Sequence, residues 1–250
     1  MNFINKLVII IVAVFGLSAV SKAQTKGIEL KSPKRGLKVS INISDKIYYS
    51  IFSGEDLLLE NKHLQMNLRN EILGQNPKLT GSKKGQGNEI IKPYVSLKFS
   101  TVKSNYNSLI FNFKGNYAVE FRAFDDGIAY RFITSKKDSV EVMNEEFSVN
   151  FPGEYALHLQ QPGGFKTAYE ELYSQVQSKD WKPENKMSTL PVLIDTKKKY
   201  KILISESDLT DYPCLFLKGT GNNGVSAVFP KVPLEFGDDG DRSLKILKEA

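Results

Sequence analysis

Three acids, Glu206, Asp208 and Asp211, fall within six residues of the segment Ser205-Glu206-Ser207-Asp208-Leu209-Thr210-Asp211-Tyr212-Pro213. Hard oxygen donors so close together suit a cation such as calcium, and one of them could equally be a catalytic carboxylate. The same pattern suits a polar turn capped at Ser207 or Asp208, and pattern alone favours the turn. A second group lies upstream: Glu154-Tyr155, Tyr169-Glu170-Glu171, Tyr173, Trp181 and Glu184, with Gly163-Gly164 among them. Aromatic planes stack on sugar rings and carboxylates bond hydroxyls, so one reading is a sugar site. The other is ordinary core and surface.

The remaining reactive side chains offer little. His63 and His158 are the only two histidines, and neither stands at metal-ligand spacing from another His or Cys. Both read as structural, and their separation argues against an epimerase acid–base pair. Cys214 is the one cysteine. It lies in an apolar segment with no visible base to activate it, so it reads as a small buried hydrophobe.

A single cysteine allows no internal disulfide, so an apolar core must hold the fold. At 250 residues and 41% hydrophobic, the chain can build one. The net charge of +6 is spread over lysines that mostly alternate with apolar residues. No basic patch joins a nucleic-acid-binding module, and no nucleic-acid partner is expected.

The first 23 residues read as a signal peptide. A short basic start precedes the apolar run Leu7 to Val20, and Ser21-Lys22-Ala23 supplies small residues before a cut at Gln24. The run falls short of the ~20 residues of a comfortable span, so no membrane anchor is expected. Residues 24–250 then form one exported domain, with the periplasm as the expected location.

The elements that must position these residues are strands. Val39, Ile41 and Ile43 alternate with polar residues, and Ile47, Tyr49 and Ile51 do so after the turn at Ser44-Asp45-Lys46. Tyr117, Val119, Phe121 and Ala123 alternate before Asp125-Asp126-Gly127, and Ile128, Tyr130 and Phe132 after it. An Asp-Gly pair between such runs predicts a tight hairpin with positive φ at its centre. Further strands are expected at Val95–Phe99, 109–113, 147–151, 191–194, 200–204, 215–217 and 225–229, with a hairpin turn at Lys197-Lys198-Lys199. Residues 74–90, rich in Gly, Lys and Asn, read as a long mobile surface loop. Ala168 to Gln177 is the one helix-like piece, since Tyr169, Leu172, Tyr173 and Val176 would share a face. The sum is an all-β, antiparallel sandwich or barrel.

The segment Ile204 to Pro213 resembles a motif of glycoside hydrolase family 97, a family of α-glucosidases and α-galactosidases. Leu30-Lys31-Ser32-Pro33, the hairpin Phe124 to Phe132, Pro233-Leu234-Glu235 and Asp241-Arg242-Ser243-Leu244 resemble other parts of the family's N-terminal domain. The resemblance implies a large antiparallel β-sandwich of the galactose-mutarotase type. In the family this domain packs on a (β/α)8 barrel that supplies the general acid and the nucleophile or base, and helps close its active site. It also implies a calcium ion near the sugar, one of whose ligands maps to Glu206, with Asp208 as the rival position. Cys214 departs from the family, which more often has a small residue there.

A (β/α)8 barrel takes ~250 residues, and the sequence reaches Ala250 where the family continues into a last sandwich strand and the barrel. The expectation is therefore an active-site-completing fragment of an α-glycoside hydrolase acting on α-glucoside or α-galactoside oligosaccharides, without catalysis of its own. A stand-alone carbohydrate-binding module is the alternative. A missing final strand predicts an open sheet edge and an exposed apolar patch.

Overall fold

The computed structural model describes residues 27–95, 98–197, 199–210, 212–240 and 243–249. The expected signal peptide lies outside the described residues, as do Leu97, Lys198, Asp211, Asp241, Arg242 and Ala250.

The chain is built from antiparallel strands. The first run is β1 (Ile28–Lys31), β2 (Leu37–Ile43), β3 (Ile47–Ser53), β4 (Asp56–Asn61), β5 (Gln65–Leu68) and β6 (Ile72–Leu73). The long strands β7 (Leu79–Ile91), β8 (Val102–Phe113), β9 (Tyr117–Phe124) and β10 (Ile128–Thr134) follow. Then come β11 (Val142–Glu146), β12 (Ser148–Asn150), β13 (Ala156–Gln160), β14 (Tyr173–Gln177), β15 (Val192–Asp195) and β16 (Lys201–Ile204). The last are β17 (Phe216–Gly219), β18 (Gly224–Val228), β19 (Pro233–Asp238) and β20 (Leu244–Glu249).

A seven-stranded sheet runs β1-β2-β3-β4-β12-β18-β17, and a four-stranded sheet runs β10-β9-β8-β7. Their facing side chains make the core: Val39, Ile41 and Tyr49 on one sheet meet Phe111, Val119 and Phe121 on the other, all buried. The ring of Tyr49 meets Phe121 edge-on at 5.7 Å between centroids. Period-2 alternation sends these residues inward and their neighbours outward. Smaller sheets, β11-β5-β6, β14-β13-β15-β16 and β19-β20, extend the body. The fold is the expected all-β sandwich.

Four local expectations need correction. Residues 79–91 are not a loop: β7 pairs with β8 in a ladder from Leu79↔Phe113 to Ile91↔Val102. Its lysines and glycines suit an edge strand exposed along most of its length. Gly87 has a packing reason, since a Cβ there would sit 2.4 Å from the Tyr106 ring that covers it. No helix forms at Ala168 to Gln177. Tyr169 has φ 56°, which breaks a helix, and β14 instead pairs with β13 from Ala156↔Gln177 to Gln160↔Tyr173. Val95 and Phe99 form no strand and are 70% and 64% exposed. Finally, Cys214 is exposed: the sheet begins only at Phe216, so the apolar neighbours that suggested burial point elsewhere.

The hairpin at Asp125-Asp126-Gly127 forms where expected, with β9 and β10 in register from Tyr117↔Thr134 to Ala123↔Ile128. It does so without the left-handed conformation at Asp126 or Gly127. The Phe124 N–H donates to the Gly127 carbonyl at 2.8 Å and closes the turn.

Candidate active-site cleft

One cleft, of about 1320 Å³, gathers much of the polar chemistry. Its walls come from the β9–β10 hairpin, from β3 and β4, from the end of β11, and from the segment that leaves β16. Strand β10 is an edge strand, so the cleft meets it on both faces.

On one face Glu120 is 4% exposed in the middle of β9. It is held by two guanidiniums. Arg122 Nε donates to it at 2.9 Å and Arg131 Nε at 2.7 Å. Arg131 stands directly opposite Glu120 in the β9–β10 register, and strand alternation puts Arg122 on the same side. Burial opposes ionisation, but the two guanidiniums prevail and hold the Glu120 carboxyl below its usual range.

On the other side the carboxylate of Glu145 is the meeting point. Tyr130, on β10, donates its hydroxyl to one oxygen at 3.0 Å, and Tyr212 donates to the other at 3.0 Å. Burial nevertheless pushes the Glu145 carboxyl up. Burial, together with the Glu145 charge, also raises both phenols. The Tyr212 ring packs edge-on against Phe229 with centroids 5.9 Å apart.

Glu206 lies just past the end of β16, partly buried. Its two oxygens accept the Leu215 N–H at 2.9 and 3.1 Å, which closes the loop between β16 and β17 at its base. Burial pushes the Glu206 carboxyl up, and the charge of Glu145 adds to it. No cation offsets either carboxyl among the described residues. In contrast Glu146 is lowered, first by its hydrogen bond with His63. Asp208, the rival of Glu206, is exposed, has φ 63° and accepts the Thr210 hydroxyl at 3.4 Å. Of these two acids, Asp208 is the turn residue and Glu206 is the one that faces inward. Asp211 lies outside the described residues.

The second sequence cluster does not assemble. Trp181 is 1% exposed and donates its indole N–H to the Lys186 carbonyl at 3.0 Å. Tyr155 is buried, and Glu154 pairs with Lys179 at 3.0 Å on the surface. Tyr169 and Tyr173 are exposed, while His63 contacts Glu146 and His158 lies half-buried on β13 between Gln175 and Leu193. These groups do not meet in one site. Sequence reasoning missed Glu145, Glu120, Tyr130 and Tyr212. The one available signal was Glu120, a carboxylate inside an otherwise apolar run facing an Arg across a hairpin.

No group of three or more His, Cys, Asp or Glu capable of holding a metal ion exists among the described residues. The chemistry of the cleft still fits calcium in part. It offers hard oxygen donors on partly buried carboxylates, with no cation beside them among the described residues. Calcium takes about 6–8 oxygens, so this chain could contribute a share of the donors and no more.

The wider comparison agrees with this architecture. A retaining alpha-galactosidase of Bacteroides thetaiotaomicron is 29% identical over 241 residues, covering 92% of this chain and 36% of the relative. A glycoside hydrolase family 97 enzyme from Pseudoalteromonas sp. strain K8, solved with acarbose, superposes with TM-score 0.70 at 20% identity, over 81% of this chain and 32% of that one. A beta-arabinopyranosidase crystal structure gives TM-score 0.70 at 22% identity, over 87% and 37%. At these identities the two structures speak for the fold. The chain spans about a third of the length of each relative. The sequence profile described as Glycosyl-hydrolase 97 N-terminal matches residues 30–236, and the chain belongs to that family.

Proposed function

We propose that this chain is the sandwich part of an exported α-glycoside hydrolase, and that its cleft completes an active site whose acid and base come from a (β/α)8 domain. The observation that carries the reading is Glu206: a partly buried carboxylate that lines the same cleft as Glu145, feels its charge, and has no cationic partner among the described residues. A carboxylate in that state is stabilised by a cation, and its oxygens suit calcium. Glu206 would hold the ion as one ligand, and further oxygens would come from outside the described residues. When bound there, calcium would supply a charge that orients sugar hydroxyls. The chain's own groups shape the wall: Arg131 and Tyr130 project from the hairpin, and Glu206 from the loop.

The substrate class follows the family and its relatives, α-glucoside or α-galactoside oligosaccharides. Export to the periplasm follows from the leader-like start. Glycoside hydrolysis needs two carboxyl groups held across the scissile bond. In this cleft Glu145 has both oxygens engaged by phenols and Glu120 is held by Arg122 and Arg131, so neither stands free as the partner of Glu206. The purified chain should therefore show no hydrolysis of nitrophenyl α-glucoside or α-galactoside, with or without calcium. Turnover by this chain alone, abolished by Glu206→Gln, would overturn the proposal. Tight, saturable oligosaccharide binding without turnover would favour a stand-alone binding module instead.

A further inference from the structure

Three elements distant in sequence meet at one carboxylate. Glu145 is fixed on β11, where it stands opposite Met66 of β5. Tyr130 reaches it from β10 and Tyr212 from the β16–β17 loop, each at 3.0 Å. Among the described residues the loop is otherwise held by packing, with Tyr212 against Phe229 and both Tyr212 and Leu215 against the core. Its described residues between Ser205 and Leu215 form no strand. Among the described residues its internal bonds are the Glu206–Leu215 closure, the Thr210 N–H to the Asp208 carbonyl at 3.0 Å, and two weak side-chain contacts. Among the described residues, the Tyr212 hydroxyl is the one side-chain hydrogen bond from this loop to the sheets. Glu206 is therefore placed by two clamps. One is its own bond to Leu215, and the other is the Glu145–Tyr212 tie that fixes where the loop lies.

We propose that Glu145 is a positioning residue: through Tyr212 it holds the Ser205–Leu215 loop so that Glu206 faces the cleft. The inference builds on the reading of Glu206 as a cation ligand, but the placement it describes can be measured without any cation. Two phenol donors on one carboxylate hold better than a single neutral bond, because hydrogen bonds to a charged acceptor are the stronger kind. Tyr130 does the same for Glu145 from the opposite side, so the carboxylate is itself held between two walls of the cleft.

The test is amide hydrogen exchange on the full chain in calcium-free buffer, read at residues of the 205–215 loop and at Leu215 above all. The Leu215 amide reports whether Glu206 is still in place. Tyr212→Phe keeps the ring against Phe229 and removes only the donor. It should speed exchange in the loop about tenfold or more, leave β8 and β9 unchanged, and move the Leu215 amide resonance. Glu145→Ala should do the same more strongly. Phe111→Leu, a core change elsewhere, lowers global stability and should leave the Leu215 resonance where it is. Should Glu145→Ala fail to fold, Tyr212→Phe decides alone. Unchanged loop exchange and an unmoved Leu215 resonance in Tyr212→Phe would overturn the proposal. A loosened loop in Tyr212→Phe, together with loop exchange that added calcium slows as much in Glu206→Gln as in the parent chain, would retain the positioning role and sink the ligand reading instead.

Discussion

The hydroxyl of Tyr212 donates to the carboxylate of Glu145 at 3.0 Å across a sequence separation of 67 residues. That bond joins the loop carrying Glu206 to the strand β11, and burial, against the pull of the bond itself, gives the carboxyl a pH dependence with a definite sign. Glu145 and Glu206 are both raised, in each case chiefly by burial. A raised carboxyl binds its proton more tightly folded than unfolded. Its stability contribution is full below the ordinary value of about 4.5 and is lost as pH rises through the folded value. Glu145→Gln removes that loss. Its stability relative to the parent chain should improve on going from pH 4.5 to pH 8, measured by urea denaturation at both. An unchanged difference would mean that Glu145 titrates normally.

Glu120 should behave in the opposite way. Its carboxyl is lowered by Arg122 and Arg131 against the cost of burial, so its contribution is present above about pH 4.5 and is lost as pH falls through the folded value. Glu120→Ala at pH 7 should cost about 1–3 kcal/mol. The full penalty of a buried broken pair is not expected, because the Arg122 and Arg131 side chains are 34% and 57% exposed and water screens what remains. The denaturation midpoint measures this, and at pH 3 the difference should shrink.

Gly219 is set tightly against Trp181. A Cβ at Gly219 would lie 1.9 Å from the Trp181 carbonyl oxygen and 2.5 Å from its ring. Backbone cannot yield as a flexible side chain can, so Gly219→Ala should destabilise by about 1–3 kcal/mol or more. A thermal melt of that variant against Gly54→Ala measures it. Gly54 has open space around its Cβ position but φ +58°, so its cost is backbone strain alone, about 1 kcal/mol. Equal losses would contradict the packing argument.

The hairpin β19–β20 exposes Leu234, Phe236, Leu244 and Leu247, each more than half accessible. Leu203 on the edge strand β16 is exposed as well. Apolar side chains grouped in this way favour association. Light scattering on the purified chain should show self-association that rises with concentration, and Phe236→Ser with Leu247→Ser should reduce it. A strictly monomeric parent chain would contradict the prediction.

How much of this was legible in the sequence depends on how local each determinant is. The β2–β3 and β9–β10 hairpins were readable because alternation and turn residues sit side by side in the chain. Strand β7 was not, since its Gly and Lys content matches a loop and only the ladder to β8 makes it a strand. The Tyr173–Gln177 strand was misread because its apolar spacing also fits one helical face, and the deciding partner, β13, lies elsewhere. Glu206 was reached only through the resemblance of its segment to a family motif, because its place after β16 by itself suits a plain turn. Glu145 could not, because its meaning comes from Tyr130 and Tyr212, neither of which is a sequence neighbour.

In the proposed function this sandwich completes a calcium-assisted α-glycosidase. The most direct test is to capture the native protein from the organism's exported fraction, with an antibody against residues 100–200, and to assay α-glycoside hydrolysis with and without a chelator. The captured species should be larger than this chain by about a barrel, ~250 residues, and its hydrolysis should fall on chelation and return with calcium. A captured species of this chain's own size, or hydrolysis indifferent to chelation, would contradict it.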